Sequence, residues 1–381
     1  MNLMGQEKPI VSIVLPSYNG ARYIEESIDS VLRQTFPDWE LILVNDGSTD
    51  RTRDIMEAYA AKDGRIRVIH NDPNQRLPRS LNIGFRQARG KYLTWTSDDN
   101  RYLPRAIEVM VQALDADPAA PMVSAEMECI DESGAVTGGY PVYEDHLIWA
   151  EDLVGACFMY RREALVKVGE YDPAKVYVED YDYWLRLRVA MGEIKRVPEM
   201  LYQYRRHGES LTATKAKEIR RQNARLHLAY QKEILQAYNE EPDMLCAIYY
   251  DFVMGGMEDS DFATTLYQRL PEVHGERKMM DKHRPMMVFG AGEFGEKMVE
   301  LFGDRVIGFI DNSPQKIGQK KDNREIISFS EYCRRYGQNE DTLLVLAVGV
   351  RHLYHIIKQV AEKGFHEFFT YQRVMSTFET E

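Results

Sequence analysis

Two adjacent carboxylates, Asp98 and Asp99, follow a short apolar run and are the first residues here that suggest chemistry. Like charges at neighbouring positions repel and raise each other's pKa, so an acidic pair needs a physical reason. A divalent cation supplies one, because oxygen ligands suit Mg²⁺ or Mn²⁺, and the same ion can hold the two phosphates of a nucleotide diphosphate. The simpler alternative is that the pair and Asn100 cap a following helix, since Asp and Asn are common N-cap residues.

Three more acidic residues stand out by their positions. Asp46 ends a second apolar run, where a carboxylate can accept the N–H of a pyrimidine base, although acids are also common in ordinary turns. Glu179 and Asp180 precede an apolar helical stripe that is typical of a core. An acid at this point is either an ordinary first-turn residue or the general base that activates an acceptor hydroxyl.

The elements that must position these residues alternate between short β-rich runs and amphipathic helical runs. This alternation predicts a parallel sheet with helices on both faces, and ligands of such sheets bind at the carboxyl ends of the strands. Polar clusters begin at three of those ends, at Ser17, Asn45 and Ser97, so we expect one shared crevice. The predicted strands are 10–15, 40–44, 66–70 and 91–95, and the predicted helices are 23–34, 52–61 and 79–89.

The chain of 381 residues is longer than one ordinary core, so two or three domains are expected. Strand signals stop near residue 212, and charged residues, Met and Tyr then recur at helical spacing as far as 282. Alternation of strands and helices resumes at Pro285. We therefore predict a first domain at 1–211, a helical linker at 212–283 and a small Rossmann-like α/β domain at 284–381.

Four stretches of the first 210 residues resemble the family 2 glycosyltransferases, in order and in spacing. They are IVSIVLPSYNGARYIEESIDSVLRQTFPDWELILVNDGSTDRT, LNIGFRQARGKYLTWTSDDNRYLP, GACFMYRREALVKVGEYD and VEDYDYWLRL. The resemblance implies the GT-A fold, in which a Rossmann-like mixed sheet is flanked by helices. It also implies an enzyme that transfers a sugar, with inversion, from a nucleotide-diphosphate donor such as a UDP- or dTDP-sugar.

The same resemblance assigns roles to the matching residues. Asp46 would read the base, and Asp99 would bind Mn²⁺ or Mg²⁺. Asp98 would contact the ribose or help to place the cation, and Asp180 would be the catalytic base. The residues that would line the nucleotide pocket are Pro16, Tyr18 and Arg76.

A further segment, YQYRRHGESLT, resembles the part of the family in which a histidine helps to bind the metal or the diphosphate. His207 is the candidate, supported by Arg205 or Arg206. Two positions depart from common family patterns, because Asn45 and Thr96 stand where Asp is frequent. These departures leave the donor sugar and its base open.

A second nucleotide-type motif, GAGEFG, lies in the C-terminal segment. Gly290, Gly292 and Gly295 match GxGxxG between a predicted strand and helix, and Asp311 ends the next strand, where an acid can bind ribose hydroxyls. Glu293 is poorly placed for a pyrophosphate at the helix N-terminus, because both are negative. The motif therefore indicates either a site for NAD or another nucleotide, or a structural or docking unit.

Composition excludes several classes. A net charge of −12 argues against a nucleic-acid-coating protein, which needs a basic face. We find neither a charged leader before a long apolar run nor eighteen consecutive apolar residues, so we expect no signal peptide and no transmembrane helix. The four cysteines, which lie far apart and form no CxxC pair, suit buried positions in a reducing cytoplasm.

By resemblance, the expected setting is bacterial surface polysaccharide synthesis in the cytoplasm, with a glycan or lipid-linked acceptor. A lipid-linked acceptor would require peripheral contact with the inner face of the membrane, which the 212–282 segment could provide. Its alternating charges are also typical of a solvated helix face. The sequence leaves the oligomeric state open.

Two other functions compete with glycosyl transfer. The first is an NAD-dependent sugar-nucleotide oxidoreductase, for which Tyr171 and Lys175 show a Tyr-x-x-x-Lys spacing. A proline between them would disrupt the helix that this pair needs. The second is a catalytically idle GT-A scaffold, which would have no need for the four aspartates assigned above.

Overall fold

The computed structural model describes residues 8–140, 144–208, 210, 214–269, 284–337, 341–365 and 368–378. The chain divides into two compact units. The first runs to Ile148 and resumes over Asp152–Gln222, and the second combines Trp149–Glu151 with the chain from Asn223 onward. The three-segment division at 211 and 283 stays a prediction.

The sheet of the first unit contains nine strands within the described residues, in the order β3-β2-β1-β4-β8-β6-β9-β5, with β7 paired to β6. The first four strands of this order are parallel, whereas β8 runs antiparallel to both β4 and β6. The predicted mixed α/β sheet is therefore confirmed. The strands are β1 (Val11–Ser17), β2 (Trp39–Asn45), β3 (Ile66–His70), β4 (Tyr92–Trp95), β5 (Arg101–Tyr102), β6 (Met122–Ile130), β7 (Val136–Tyr140), β8 (Phe158–Arg161) and β9 (Lys195–Arg205).

Helices cover this sheet. Every residue of β1 and β2 is buried, as expected for parallel strands packed on both faces. Helix α1 places Ile24, Ile28 and Val31 in one core cluster with Leu15 and Leu43, and burying one such side chain contributes about 2 kcal/mol. The helices are α1 (Ile24–Leu32), α2 (Thr52–Ala60), α3 (Leu77–Gln87), α4 (Ala106–Ala116), α5 (Glu163–Lys167) and α6 (Glu179–Met191).

Helices continue beyond this sheet. The described part of residues 212–282 is helical, as predicted, while residues 270–283 lie outside the described residues. No helix among the described residues is both long and apolar enough to cross a membrane. The helices here are α7 (Ala216–Ala229), α8 (Gln231–Ala237), α9 (Pro242–Gly255) and α10 (Asp261–Arg269), and the first unit ends within α7.

A second, smaller sheet lies in the second unit and has six strands within the described residues, in the order β12-β13-β11-β10-β14-β15. All pairs are parallel except the edge pair of β12 and β13. The α/β alternation expected after Pro285 is confirmed. Its elements are β10 (Met286–Phe289), α11 (Glu293–Phe302), β11 (Val306–Ile310), β12 (Lys320–Lys321), β13 (Arg324–Ile327), α12 (Phe329–Tyr336), β14 (Leu343–Leu346), α13 (Val350–Glu362), β15 (Phe369–Thr370) and α14 (Tyr371–Phe378).

One alternative is ruled out and one expectation needs correction. Asp98, Asp99 and Asn100 do not cap a helix, because the element that follows them is the strand β5. The cysteines are all free, but Cys333 is only partly buried, unlike the other three. The acidic pair after β4 therefore requires an explanation other than capping.

Candidate active site

The polar carboxyl ends of three neighbouring strands meet at one edge of the first sheet. Ser17 at the end of β1 pairs in register with Asn45 at the end of β2. The backbone N–H of Asp46 donates to the carbonyl oxygen of Ser17 at 2.9 Å. The Ser17 hydroxyl in turn donates a short hydrogen bond to the carboxylate of Asp98, beyond the end of β4. The three predicted clusters therefore lie side by side.

Asp98 lies in surroundings that disfavour its charge. Burial, and after it the neighbouring charge of Asp99, raises the pKa of Asp98 to about 7, although the hydrogen bond from Ser17 acts in the opposite direction. Gly20 approaches the same carboxylate so closely that a Cβ there would lie 2.0 Å from Asp98 Oδ2. Any residue with a Cβ at position 20 would collide with the Asp98 carboxylate in this position.

Asp99 and His207 form a pair with unused polar atoms. His207 Nε2 lies 3.0 Å from Asp99 Oδ2, although 108 residues separate them in the sequence. Asp99 Oδ1 and His207 Nδ1 are both buried and have no hydrogen-bond partner in the described part of the chain. An unpaired buried polar atom costs free energy, so these two atoms favour an additional bound species.

A divalent cation fits these two side chains. Among the described residues, no group of three or more His, Cys, Asp or Glu side chains could hold a metal by itself. Mg²⁺ and similar hard cations often take only one or two protein ligands and complete their shell with water and substrate phosphates. Asp99 and His207 therefore suit a cation that is bound together with a diphosphate.

Asp46 is buried and accepts two hydrogen bonds at Oδ1, from the Asn71 side chain and from the Gln75 backbone N–H, both at 2.8 Å. The Asn71 side chain also donates to Ser80 at 3.0 Å. Asp46 thus orders the loop between β3 and α3, in line with the turn alternative. Its role in reading a base stays a prediction.

The other candidates for the nucleotide pocket differ in exposure. Pro16 is buried within β1, whereas the ring of Tyr18 is 54% exposed. Arg76 is exposed at the start of α3 and has a φ of 67°, which is uncommon for a residue other than glycine. Tyr18 and Arg76 therefore present their side chains to solvent after β1 and before α3.

Asp180 lies in the first turn of α6, which aromatic packing holds against the sheet. The Trp184 ring on α6 is 4.5 Å from that of Phe158 on β8, which is 5.8 Å from that of Trp95 at the end of β4. Asp180 Oδ1 accepts the backbone N–H of Tyr181 at 2.8 Å. The first turn of α6 thus has a fixed position relative to β4, from which the Asp98–Asp99 loop departs.

The neighbouring acid Glu179 behaves differently from Asp180. Glu179 is buried, and burial together with the charge of Asp180 raises its pKa well above the usual range. The raised pKa makes Glu179 the poorer candidate for a group that must be ionised, and Asp180 is the less buried of the two. Because a general base must be ionised, Asp180 is the better candidate of the two.

Sequence reasoning missed the position of Arg205. Its side chain is only 1% exposed and donates to the backbone oxygen of Asp99, so it does not reach outward toward a diphosphate. Arg206 is exposed. Neighbouring residues at a strand end point to opposite faces, and this alternation could have indicated that one of the two arginines points inward.

The glycines of the second unit have mainly packing roles. A Cβ at Gly290 would lie 2.3 Å from the Ala347 carbonyl oxygen, and one at Gly295 would lie 2.2 Å from the Gly290 carbonyl oxygen. At Gly292, by contrast, no atom lies within 4 Å of the corresponding position. Close packing explains two of the three glycines, and the third leaves open space at the start of α11.

Asp311, the acid of the same motif, is engaged within the protein. Its carboxylate accepts the backbone N–H groups of Ala291 at 3.1 Å and Ser313 at 2.8 Å, and Lys316 Nζ at 3.0 Å. These bonds satisfy the carboxylate internally. Binding of NAD or another nucleotide here stays a prediction.

The Tyr-x-x-x-Lys spacing has no support in the structure. Tyr171 is buried and Lys175 follows it in the loop between α5 and α6, so the two residues do not share a helix face. A stacked contact of 4.4 Å between the Tyr171 and Tyr183 rings gives this tyrosine a packing role. The spacing is therefore incidental.

Comparison with known proteins agrees with this geometry. The model of Glycosyl transferase family 2 matches residues 12–169. An uncharacterized glycosyltransferase of Haemophilus influenzae is 30% identical over 245 residues, covering 58% of this chain and 75% of the relative. TuaG of Bacillus subtilis, a candidate teichuronic acid biosynthesis glycosyltransferase, is 38% identical over 109 residues, covering 28% of this chain and 43% of TuaG.

A solved structure resembles the fold. The crystal structure of S. aureus TarS 1–349 in complex with UDP-GlcNAc aligns with a TM-score of 0.51 at 17% identity, covering 70% of this chain and 83% of that one. At this identity the similarity is one of fold. The sheet order, the matching family and the Haemophilus relative agree: the chain belongs to the family 2 glycosyltransferases, and it carries their GT-A fold.

Proposed function

We propose that this glycosyltransferase transfers a sugar, with inversion, from a UDP- or dTDP-sugar to a hydroxyl of a glycan or lipid-linked acceptor. The observation that carries the proposal is the pair of buried atoms Asp99 Oδ1 and His207 Nδ1, beside Asp98, which have no hydrogen-bond partner among the residues that the structure describes. A site that leaves such atoms unpaired is suited to a cation and the diphosphate it accompanies. The fold neighbour solved with UDP-GlcNAc adds support for a uridine donor.

Donor binding would use the loops after β1 and β2. The ring of Tyr18, exposed beside the crevice, can stack on a base, and the buried carboxylate of Asp46 can accept the N–H of a pyrimidine. Pro16 would form the floor of the pocket. Arg76 offers a guanidinium for a phosphate, and Asp98 would contact the ribose.

Asp99 and His207 would hold Mn²⁺ or Mg²⁺. When bound, the cation would offset the negative charge that develops on the departing diphosphate. The protein contributes by holding the two side chains together at the edge of the sheet, where His207 Nε2 lies 3.0 Å from Asp99 Oδ2. Preorganised groups need no rearrangement as the reaction proceeds.

Asp180 would act as the general base. It would accept the proton of the attacking hydroxyl while the acceptor oxygen bonds to the anomeric carbon and the nucleotide diphosphate departs from the opposite face. This geometry inverts the anomeric centre. The raised pKa of the neighbouring Glu179 supports Asp180 as the proton acceptor of this pair.

The test begins with calorimetry of UDP, dTDP and GDP in Mn²⁺ and in EDTA, followed by turnover with the matching sugar donors. Asp180→Asn is expected to lower kcat about 1,000-fold while changing the donor Kd less than about twofold, because it removes only the proton acceptor. Asp182→Asn, which removes an acid paired with Arg186 on the same helix, is the control and should retain turnover.

Normal turnover in Asp180→Asn would exclude its role as the base. If the native protein showed no metal-dependent binding of any of the three nucleotides, the proposed nucleotide-sugar donor would be excluded. An absorbance change of NADH with a sugar nucleotide would instead favour the oxidoreductase alternative, and neither activity would favour an idle scaffold.

We also propose surface polysaccharide as the product class and peripheral membrane contact through α7. The similarity to TuaG supports the first. For the second, Lys217, Arg221 and Arg225 are exposed at i, i+4 and i+8 on one helix face, in a chain whose net charge is −12. Basic side chains exposed on one helix face are attracted to anionic lipid, so this stripe suits an anionic surface.

Vesicle sedimentation tests this contact. The full chain should sediment with phosphatidylglycerol vesicles at low salt and remain in solution with phosphatidylcholine vesicles. The double variant Lys217→Gln/Arg221→Gln should lose most of that binding. The matched variant Lys62→Gln/Lys167→Gln, which removes two exposed charges elsewhere, should keep it. If both variants lost vesicle binding equally, the binding would depend only on total charge, and the proposed membrane contact through α7 would be refuted.

A further inference from the structure

Arg205, the last residue of β9, is almost fully buried yet carries a permanent charge. Its Nε donates to the backbone oxygen of Asp99 at 2.9 Å. Its Nη1 donates to the backbone oxygens of Asp131 and Glu132, both at 3.1 Å, and its Nη2 donates to the Glu26 carboxylate at 2.7 Å. One guanidinium therefore joins α1, the loop after β4 and the turn after β6.

The same guanidinium has a further contact, with an aromatic ring. Its Cζ lies 4.4 Å from the centre of the Tyr23 ring, and that ring lies 5.7 Å from the ring of His207. The backbone N–H of Arg205 also donates to the side chain of Asn100 at 2.8 Å. Arg205 thus contacts the Asp99 segment directly and the His207 ring through Tyr23.

We propose that Arg205 is a positioning residue that fixes the Asp99 loop and the His207 ring relative to each other. The proposal rests on the proposed function in taking these two side chains as the pair that holds the cation. They come from different loops, after β4 and after β9, which the pairing of β5 with β9 brings side by side. A planar group with several fixed donors can hold both, which a lysine ammonium cannot do.

A purely structural role is the alternative, because removing a buried arginine destabilises a protein wherever it lies. Arg161 provides a matched control within the first unit. Its Nε donates to the Ala120 carbonyl at 2.8 Å, and its Nη2 donates to the carbonyls of Leu114 and Asp117 at 2.6 and 2.9 Å. Arg161 thus ties backbone carbonyls at and after the end of α4, and these bonds reach none of the site residues described above.

The experiment compares the native chain, Arg205→Lys and Arg161→Lys by calorimetry of UDP, and of dTDP, each in MnCl₂ and in EDTA. Arg205→Lys is expected to weaken binding about tenfold or more in Mn²⁺, since groups that orient metal ligands typically contribute 10- to 100-fold to affinity. Binding in EDTA should change less than twofold, because Asp46 and Tyr18 are untouched. Arg161→Lys should change neither value, even with a similar loss in Tm.

A second readout does not depend on donor binding. The imidazole NMR signals of His207, assigned with His207→Gln, should shift in Arg205→Lys and stay in place in Arg161→Lys. If this shift occurs while the native protein binds no nucleotide, the positioning role stands and the proposed function fails. If His207 is unmoved, or if both binding conditions weaken equally, Arg205 is only structural and the proposal is overturned.

Tyr23→Leu covers the case in which Arg205→Lys does not fold. It removes the ring between Arg205 and His207 and leaves the arginine in place. The same loss restricted to Mn²⁺-dependent binding, with a shift of the His207 signals, is expected. Unchanged His207 signals in this variant would also overturn the proposal.

Discussion

The two sheets of this protein end in similar sequence features but use them in opposite ways. In the first unit, acids follow the parallel strands and leave buried atoms without partners, namely Asp99 Oδ1 and His207 Nδ1. In the second unit, the acid that follows β11 has its carboxylate bonded to two backbone N–H groups and a lysine. Both edges match a nucleotide-binding pattern, yet the acid of the second edge is satisfied within the protein, whereas Asp99 Oδ1 at the first edge has no partner among the described residues.

This difference shows what a motif can and cannot establish. A glycine-rich turn is needed wherever a strand, a turn and a helix pack closely, and the close approaches at Gly290 and Gly295 meet that need without a ligand. An adjacent acidic pair such as Asp98 and Asp99 has no comparable packing advantage, because its charges repel. The acidic pair is therefore the stronger functional signal of the two.

The strongest test of this difference between the two sheet edges is to neutralise one acid at each, Asp99 in the first unit and Asp311 in the second. Asp99→Asn keeps the side-chain shape and removes the charge of a proposed metal ligand. We expect UDP binding in Mn²⁺ to weaken about 100-fold, the upper end of the effect of groups that only orient metal ligands. Asp311→Asn should leave that binding unchanged and lower the stability of the second unit by about 1 kcal/mol, since Lys316 loses a partly exposed ion pair.

Calorimetry and thermal unfolding of both variants decide the matter. If Asp311→Asn abolishes nucleotide binding and Asp99→Asn does not, the functional edge lies in the second unit and the comparison is reversed.

Much of the fold follows from sequence patterns. Strand β3 was predicted with its observed bounds, and α2 differs by one residue. Helix α3 begins at Leu77, two residues earlier than predicted, because Pro78 is acceptable in the first turn, where its missing N–H has no helical partner. The individual strands between residues 101 and 205 were not predicted, because their pairing, both antiparallel and parallel, depends on contacts between distant segments.

The site was predictable only in part, for a related reason. Residue types and strand ends indicated Asp46, Asp98 and Asp99, because the carboxyl ends of parallel strands must meet. The contacts that tune them connect distant residues, such as Ser17 with Asp98 and Arg205 with the Asp99 backbone. Local spacing contains no information about such pairs, and either of two neighbouring arginines could have occupied the inward position.

The smallest expected effect concerns one glycine at each edge. Gly20→Ala would put a methyl group 2.0 Å from Asp98 Oδ2, so the carboxylate must move, and we expect about tenfold weaker UDP binding in Mn²⁺, as when a binding group is displaced by a fraction of an ångström. Gly20 has no positive φ, so the backbone itself tolerates alanine. The effect then reports on the contact with Asp98 and with the Ser17 hydroxyl that bonds to it, which would lie 2.4 Å from the methyl group.

Gly292→Ala is the matched change in the second unit. Open space surrounds the added methyl group, so thermal stability should change by less than about 0.5 kcal/mol, and UDP binding should not change. The informative measurement is calorimetry of NAD⁺ and UDP with both variants. Weaker NAD⁺ binding in Gly292→Ala would show that a phosphate enters the open space at the start of α11. The edge of the second sheet would then be a nucleotide-binding site in which Asp311 holds the loop after β11. If Gly20→Ala binds UDP with unchanged affinity, Asp98 does not contact the donor. Asp99 and His207 would then be the only proposed donor-site residues with atoms that lack a partner in the described part of the chain and so distinguish the first sheet edge from the second.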